Sequence, residues 1–238
     1  MSGIIAYSII NEPAPRVIGT NAFTKVEETN SAKNPDLGSK VVEVKCEFKN
    51  KEEDDTSINN ITASYSFPLV YLGGEPYTIL NNQMESESRN LFATLKQPMV
   101  GNVKNKYKFT TTNKAYDCVL NKKQIVSVVV TEKMQELDTK ENTYLKVKTY
   151  NTNVTTREKI SSYEAAIELI GTDYKAIVSD TINAHLISRE MKKAEDSKYV
   201  YSGLESWYVT ADELHIMLNP GDVVDAKYGV IDIVIKKK

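Results

Sequence analysis

The stretch AYDCVLNKKQIVSVVVTEK, residues 115–133, decides the fold. Ala115 to Leu120 and Ile125 to Thr131 have the β-branched and aromatic composition of strands, and Asn121-Lys122-Lys123 between them predicts a turn. The two segments are therefore expected to form an antiparallel hairpin. Both alternating faces of the second segment are mostly apolar, which is typical of a strand inside a sheet rather than at its edge.

Further strands are expected on both sides of this hairpin. Val41 to Lys49 alternates apolar and charged residues, as a half-buried strand does. Ile61 to Leu72 is a strand that Pro68 places at an edge or a bulge, and the charged stretch Asn50 to Asn60 before it predicts a loop. The remaining strands are predicted at Lys106 to Thr112, Tyr144 to Tyr150, Trp207 to Thr210, Leu214 to Leu218 and Val230 to Ile235.

Three segments have helical patterns. Apolar residues recur at helical spacing from Glu75 to Lys96. Ser161 and Glu164 have the spacing of a capping box, and Gly171 is expected to end the helix that they begin. A third helix is expected to start directly after that glycine. Strands interrupted by helices predict an α+β fold, a mostly antiparallel sheet with two or three helices packed on it.

The first 38 residues have a different composition, with prolines and glycines among polar residues, and they predict an extended N-terminal arm. Residues 39–238 are then a single α+β domain, since a chain of 238 residues can bury one sizeable core. Within the arm, Ile4 to Ile10 is a strand by propensity. Its residues Ile5, Tyr7 and Ile9 would form the partner-binding face in a strand addition to a neighbouring sheet.

Charge and hydropathy exclude two classes of partner. Thirty basic and 32 acidic residues give a net charge of -2, so no overall positive field attracts a nucleic acid. No window approaches the ~20 apolar residues of a membrane span. The N-terminus, Met1 to Ile10, lacks the pattern of a secretory signal. Export by another route, earlier removal of a signal and release by lysis are the alternatives.

The residues that usually carry catalysis do not form a recognisable set. His185 and His215 lie in apolar surroundings and outside any metal-binding spacing, so each is expected to be a packing residue. Nucleophile-elbow, phosphate-loop and dinucleotide motifs are absent from the sequence. We therefore expect no enzyme, no catalytic residue, no metal and no cofactor. Cys46 and Cys118 form no CxxC pair and are expected to be buried free thiols, with one disulfide as the alternative.

Four stretches, the opening one among them, follow a recognisable order: YSFPLVYLGGEPYTILNNQMES, AYDCVLNKKQIVSVVVTEK, KVKTYNTNVTTREKISSYEAAIEL and WYVTADELHIMLNPGDVVDAKYGVIDIVI. From about Ser64 to Ile235 this order resembles the extracytoplasmic domain family found in lysozyme-sensing anti-sigma factors and ahead of some peptidoglycan deacetylases. The resemblance implies an α+β fold with helices on an antiparallel sheet and a role in binding. It does not imply catalysis, because the deacetylase chemistry belongs to a separate domain.

These observations predict a non-catalytic structural and interaction protein of a bacterial cell or spore surface. Copies would assemble through the strand Ile4 to Ile10, and head-to-tail contacts of this kind can propagate into a filament. The alternative is a monomeric envelope module that binds a protein or a cell-wall ligand. The expected partners are copies of the same chain or another envelope protein. The Lys- and Asn-rich composition is typical of a low-GC Gram-positive bacterium.

Overall fold

The computed structural model describes residues 16–20, 42–55, 61–97, 105–120, 122–193, 196–210 and 212–237. The strands in this part of the chain are β1 Arg16–Thr20, β2 Val44–Asp55, β3 Ile61–Leu72, β4 Glu75–Pro76, β5 Tyr107–Leu120, β6 Lys123–Glu136, β7 Asn142–Asn153, β8 Ser206–Val209, β9 Glu213–Leu218 and β10 Ile231–Lys236. The helices are α1 Thr78–Lys96, α2 Ser162–Ile170 and α3 Tyr174–Ser188, and a short 3-10 turn spans Ala226–Tyr228.

Two sheets organise the fold. The larger sheet has the order β2-β3-β5-β6-β7, with β1 paired to β5 and β4 paired to β3. All of its pairs are antiparallel except β3 and β5, which run parallel from Ile61 to Ser64. The smaller sheet has the order β10-β9-β8 and is antiparallel. The predicted α+β fold with mostly antiparallel strands and two or three helices is confirmed, although the described strands form two sheets and not the single sheet expected.

The hairpin predicted from residues 115–133 is the centre of the larger sheet. Its strands β5 and β6 pair from Tyr107 opposite Glu136 to Leu120 opposite Lys123. The two strands predicted for residues 106–120 are thus one continuous strand. β6 lies between β5 and β7, as its two apolar faces indicated, and both faces are buried.

Each face of the larger sheet carries its own core. α1 packs on one face, where Met84 and Phe92 lie among the side chains of β3, β5 and β6. On the other face β8 and β9 pack against β6 and β7 around Val129 and Val147. α2, α3 and the inner face of the smaller sheet enclose the largest cluster, in which Ile182 is fully buried. Each such buried aliphatic side chain contributes about 1.5–3 kcal/mol.

Helix α2 begins and ends where the sequence predicts. The Ser161 hydroxyl accepts a hydrogen bond from the Glu164 N–H at 3.3 Å, and the Glu164 carboxylate accepts one from the Ser161 N–H at 3.1 Å. This reciprocal pair is the capping box. Gly171 follows the helix at φ +90°, a backbone conformation that favours glycine.

The loop predicted for residues 50–60 is wrong for its first part, because β2 continues to Asp55 and pairs with β3. The ladder with β3 holds this segment in a strand, and Glu53 within it has cationic partners. The Glu53 carboxylate forms ion pairs with Lys51 and with Arg89 of α1. The Arg89 guanidinium also lies 5.2 Å from the centre of the Tyr65 ring. Residues 56–60 lie outside the described part of the chain.

Pro68 lies where β3 separates from β5. The Thr111 hydroxyl accepts from the Ser66 N–H at 2.7 Å and donates to the Ser66 carbonyl at 3.0 Å. The Asn81 side chain bonds the N–H and carbonyl of Val70 at 2.8 and 3.0 Å. Pro68 lies between Ser66 and Val70, and its backbone nitrogen points away from β2, as theirs do. Its missing N–H therefore removes no hydrogen bond from the ladder with β2. The predicted edge position is therefore correct for the part of β3 around Pro68, between the segments that pair with β5 and with β4.

Part of the N-terminal region joins the larger sheet. β1 pairs antiparallel with β5, with Arg16 opposite Asp117 and Thr20 opposite Lys114. Residues 1–15 lie outside the described residues, and with them the expected partner-binding residues Ile5, Tyr7 and Ile9. The division into an arm, residues 1–38, and a domain, residues 39–238, stays a prediction. Among the described helices, none has the length and apolar character needed to cross a membrane.

Candidate functional site

A cavity of about 470 Å³ lies between α1 and β7, and we call it the α1–β7 groove. α1 contributes one wall, including Ile79, Gln83 and Glu87. Residues 148–152 of β7 form the floor. Residues 204–206 and the turn that contains Asn219 form the opposite wall. A cavity of this size matches the usual volume of ligand sites in proteins, about 300–1,000 Å³.

The wall formed by α1 is held in place at its first turn. The Tyr77 N–H donates to the Val70 carbonyl at 2.8 Å, and the Tyr77 hydroxyl donates to the carbonyl of Arg157. The Asn81 side chain adds its two bonds to Val70. Ile79 is fixed between these anchors and is 78% exposed at the lip of the groove. Its exposure follows from the docking of the helix.

The opposite lip carries Leu204, which is 91% exposed. Its turn is tied by hydrogen bonds. The Ser202 N–H and hydroxyl donate to the Glu205 carboxylate at 3.1 and 2.9 Å, and the Leu204 N–H donates to the Ser202 hydroxyl at 3.1 Å. The Ser162 hydroxyl at the start of α2 donates to the Gly203 carbonyl at 3.0 Å. Leu204 is therefore presented to solvent by an ordered turn.

A buried ion pair lies behind the floor of the groove. Glu132 of β6 is fully buried, and the Lys148 Nζ lies 3.1 Å from its Oε2. The Ser88 hydroxyl of α1 donates to Glu132 Oε1 at 2.9 Å. A buried carboxylate is costly unless it is paired and hydrogen-bonded, and both conditions are met here. Lys148 also lies 3.8 Å from Glu87 on the wall of the groove.

The polar side chains of the groove balance in charge. The Tyr150 hydroxyl donates to Glu87 Oε2 at 2.7 Å. Burial, and then this bond to Glu87, raises the pKa of Tyr150 far above its ordinary value, so the phenol stays neutral. The ionised side chains of the lining are Lys146, Lys148, Lys159, Glu87, Glu205 and Asp222. Three positive and three negative charges leave a neutral surface.

The floor also presents backbone groups. β7 is an edge strand, and its outward N–H and carbonyl at Val147 are bonded by the side chains of Asn219 and Ser206 at 2.6 and 3.0 Å. Further along, the Asn151 carbonyl accepts from the Ile160 N–H at 3.0 Å. Alternation along the strand directs the N–H and carbonyl of Thr149 outward between these positions. Within the described residues, no partner bonds these two groups.

His215 lies away from the groove, between the two sheets. Its Nδ1 is 3.0 Å from Asp232 Oδ1, and its Nε2 is 3.4 Å from a carboxylate oxygen of Glu213. Its ring stacks on Tyr208 at 4.2 Å, and Tyr208 stacks on Tyr116 of β5 at 4.9 Å. The three rings join the sheets, but two carboxylates contact the imidazole, so its surroundings are not the apolar ones expected from the sequence.

The other residues singled out in the sequence lie apart from one another. His185 is half-buried on α3. Cys46 and Cys118 are both buried and neither forms a disulfide, which confirms the expectation of free thiols. Burial raises the pKa of the Cys46 thiol to about 12, so it is unreactive near neutral pH. In the described ranges, no group of three or more histidine, cysteine or acidic side chains could hold a metal ion.

Comparison with known proteins gives relatives in structure but none in sequence. No protein-family model matches the chain, and no curated protein matches it. A solved structure of a DUF3298 family member from Bacteroides fragilis NCTC 9343 is 11% identical, with 82% of this chain and 90% of that chain covered and a TM-score of 0.47. A DUF3298 family protein from Pseudomonas aeruginosa PAO1 is 8% identical, with 82% and 91% covered and a TM-score of 0.50.

The structural neighbours are DUF3298 family proteins. At these identities, the similarity to the Pseudomonas protein establishes a common fold and nothing about activity. It is consistent with the resemblance found in the sequence.

The α1–β7 groove was not predicted from the sequence. One signal in the sequence was Glu132, an acidic residue just after the apolar run 125–130. A carboxylate next to a buried strand indicates that a cationic side chain lies beside it.

Proposed function

We propose that this chain is a non-catalytic structural and interaction protein of a bacterial cell or spore surface, which assembles with copies of itself through the strand Ile4 to Ile10. One observation carries the proposal: the N-terminal region already adds a strand, β1, to the exposed edge of β5. Strand addition uses backbone hydrogen bonds for affinity and alternate side chains for register. The same chemistry is available to the apolar residues upstream of β1.

The ladder with β5 leaves no room for residues 4–10. Arg16 pairs with Asp117, and β5 ends three residues later at Leu120. The sequence before Arg16 contains Pro13 and Pro15, and a proline has no N–H to donate to a ladder. A strand at residues 4–10 must therefore pair with another surface. This supports a role in contacts between copies.

The resemblance to the extracytoplasmic domain family supports both the binding role and the surface location. The stretches that carry it form β3 with α1, the central hairpin, β7 with α2, and the smaller sheet. In that family the domain binds and does not catalyse. The Gram-positive source rests on composition.

Deletion of residues 1–12 tests the proposal. The full-length protein is expected to form higher assemblies in sedimentation velocity and electron microscopy, and the truncated protein is expected to be a folded monomer. The paired variant Ile5→Asp/Ile9→Asp should act like the deletion. Its matched control is Ala6→Asp/Ser8→Asp on the other face of the same strand. A full-length protein that stays monomeric at high concentration contradicts the proposal, and so does assembly that survives the deletion.

A second candidate function is a monomeric envelope module that binds a protein or a cell-wall ligand. The α1–β7 groove favours it, because two ordered apolar lips and polar walls surround a cavity of about 470 Å³. A monomeric full-length protein whose binding to Gram-positive cell walls or to an envelope protein is lost on substitution of Ile79 or Leu204 would support this function instead.

A further inference from the structure

We propose that the α1–β7 groove is the acceptor for residues 4–10 of a second copy of this chain. The inference rests on the proposed function, since it names the surface that the N-terminal strand occupies. The groove and the segment are complementary in apolar surface, backbone hydrogen bonding and charge.

Apolar complementarity comes from the two lips. A single exposed aliphatic side chain on a protein surface is ordinary. Ile79 and Leu204 differ because they face the same cavity from opposite walls, each on backbone that is fixed by hydrogen bonds. Tyr77, Leu80 and Tyr150 add aromatic and apolar surface to a lining that is otherwise polar. A segment with large apolar residues at alternate positions, Ile5, Tyr7 and Ile9, would cover both lips.

Backbone complementarity comes from β7. The N–H and carbonyl of Thr149 point outward at the floor of the groove, between positions where side chains already bond the strand edge. An extended segment lying along the groove would bond both groups. The Asn219 side chain already bonds the backbone of Val147, so the stretch of β7 edge that is open to a new strand is short. A segment bound there would form few backbone hydrogen bonds. Most of the affinity must then come from the apolar side chains.

The charge balance of the groove disfavours strongly charged occupants. The lining carries three lysines and three acidic residues, so it attracts neither a polyanion nor a strongly basic segment. The sequence MSGIIAYSII contains no charged side chain. An uncharged segment enters this neutral groove without leaving an ionised side chain unpaired.

A second copy supplies the occupant more readily than the same chain, because packed side chains obstruct the direct path within one chain. Arg16 lies three strand spacings from Thr152 in the groove, through the pairs with Asp117 and Val126. This is a distance of about 15 Å. Five residues, 11–15, connect Ile10 to Arg16, and the six steps from Cα to Cα span at most about 20 Å. Val126 is fully buried on this face under a packed cluster, so the segment would need a longer path around it.

A labelled peptide of residues 1–12 tests the acceptor on full-length protein. The host carries Ile5→Asp/Ile9→Asp, which disables its own strand, and the peptide is titrated by fluorescence anisotropy. We expect saturable binding that Leu204→Glu or Ile79→Glu weakens at least about tenfold. Val200→Glu is the matched control, since Val200 is 71% exposed on the same segment and does not line the groove. Equal binding by the Leu204→Glu host and the control host overturns the inference.

Cross-linking tests whether the contact joins two copies. Tyr7→Cys and Gln83→Cys are made in separate full-length chains, because Gln83 lines the groove. Oxidation of the mixture is expected to give a disulfide-linked dimer. Absence of the dimer, or a monomeric intrachain disulfide when both substitutions are in one chain, overturns the inference.

The two proposals fail in different ways. If deletion of residues 1–12 abolishes assembly while Leu204→Glu assembles like the wild type, the proposed function stands and the groove is not the acceptor. If the deletion leaves assembly unchanged, the proposed function is wrong. Whether the groove binds residues 4–10 is then tested separately by the peptide titration, because the host protein in that experiment carries substitutions in its own residues 4–10.

Discussion

Replacement of Lys148 by methionine is predicted to destabilise the protein strongly. Methionine keeps most of the aliphatic stem but removes the ammonium that lies 3.1 Å from Glu132. Glu132 is fully buried, so its carboxylate would lose its cation without gaining water. Breaking a buried ion pair from one side costs about 3–5 kcal/mol. Because the Lys148 side chain is 24% exposed and Ser88 still donates to Glu132, we expect the lower end, about 3 kcal/mol.

Urea unfolding followed by tyrosine fluorescence and circular dichroism measures this change. Lys146→Met is the matched control: Lys146 is exposed, and its loss should change the free energy of unfolding by less than about 0.5 kcal/mol. The double variant Glu132→Gln/Lys148→Met removes both charges and should recover at least half of the loss, because no buried charge remains unpaired. Equal stability of Lys148→Met and Lys146→Met would refute the assignment of a buried, compensated charge.

Two further predictions concern the described core. Cys46 should resist iodoacetamide at pH 8 until the protein unfolds, because burial raises its pKa to about 12, and dithiothreitol should leave the melting temperature unchanged; rapid labelling of the native protein would contradict this. Asn81→Ala should lower the free energy of unfolding by about 2–3 kcal/mol, because two backbone groups of Val70 lose their partner, whereas Asn82→Ala on the exposed face of α1 should have little effect.

The confirmed predictions depend on residues that are close in the chain. The capping box at Ser161 and Glu164 is complete within one helical turn, and the central hairpin needs only two adjacent strands and their turn. The extension of β2 to Asp55 could not be predicted in this way. It involves contacts with other parts of the chain, since β2 pairs with β3 as far as Asp55 and Glu53 forms an ion pair with Arg89 of α1. A charged stretch alone favours a loop until its partners are known.

The groove follows from the separation of β3 and β5. After Ser64 the two strands no longer pair. The side chains of Thr111 and Asn81 form hydrogen bonds with the backbone of β3 that β5 leaves unpaired. Asn81 belongs to α1, so the same bonds that complete the edge of β3 also fix the first turn of the helix. That turn then presents Ile79 beside β7. The position of one wall of the groove is thus set by a polar side chain on the buried face of α1, and a sequence pattern based on apolar spacing does not register it.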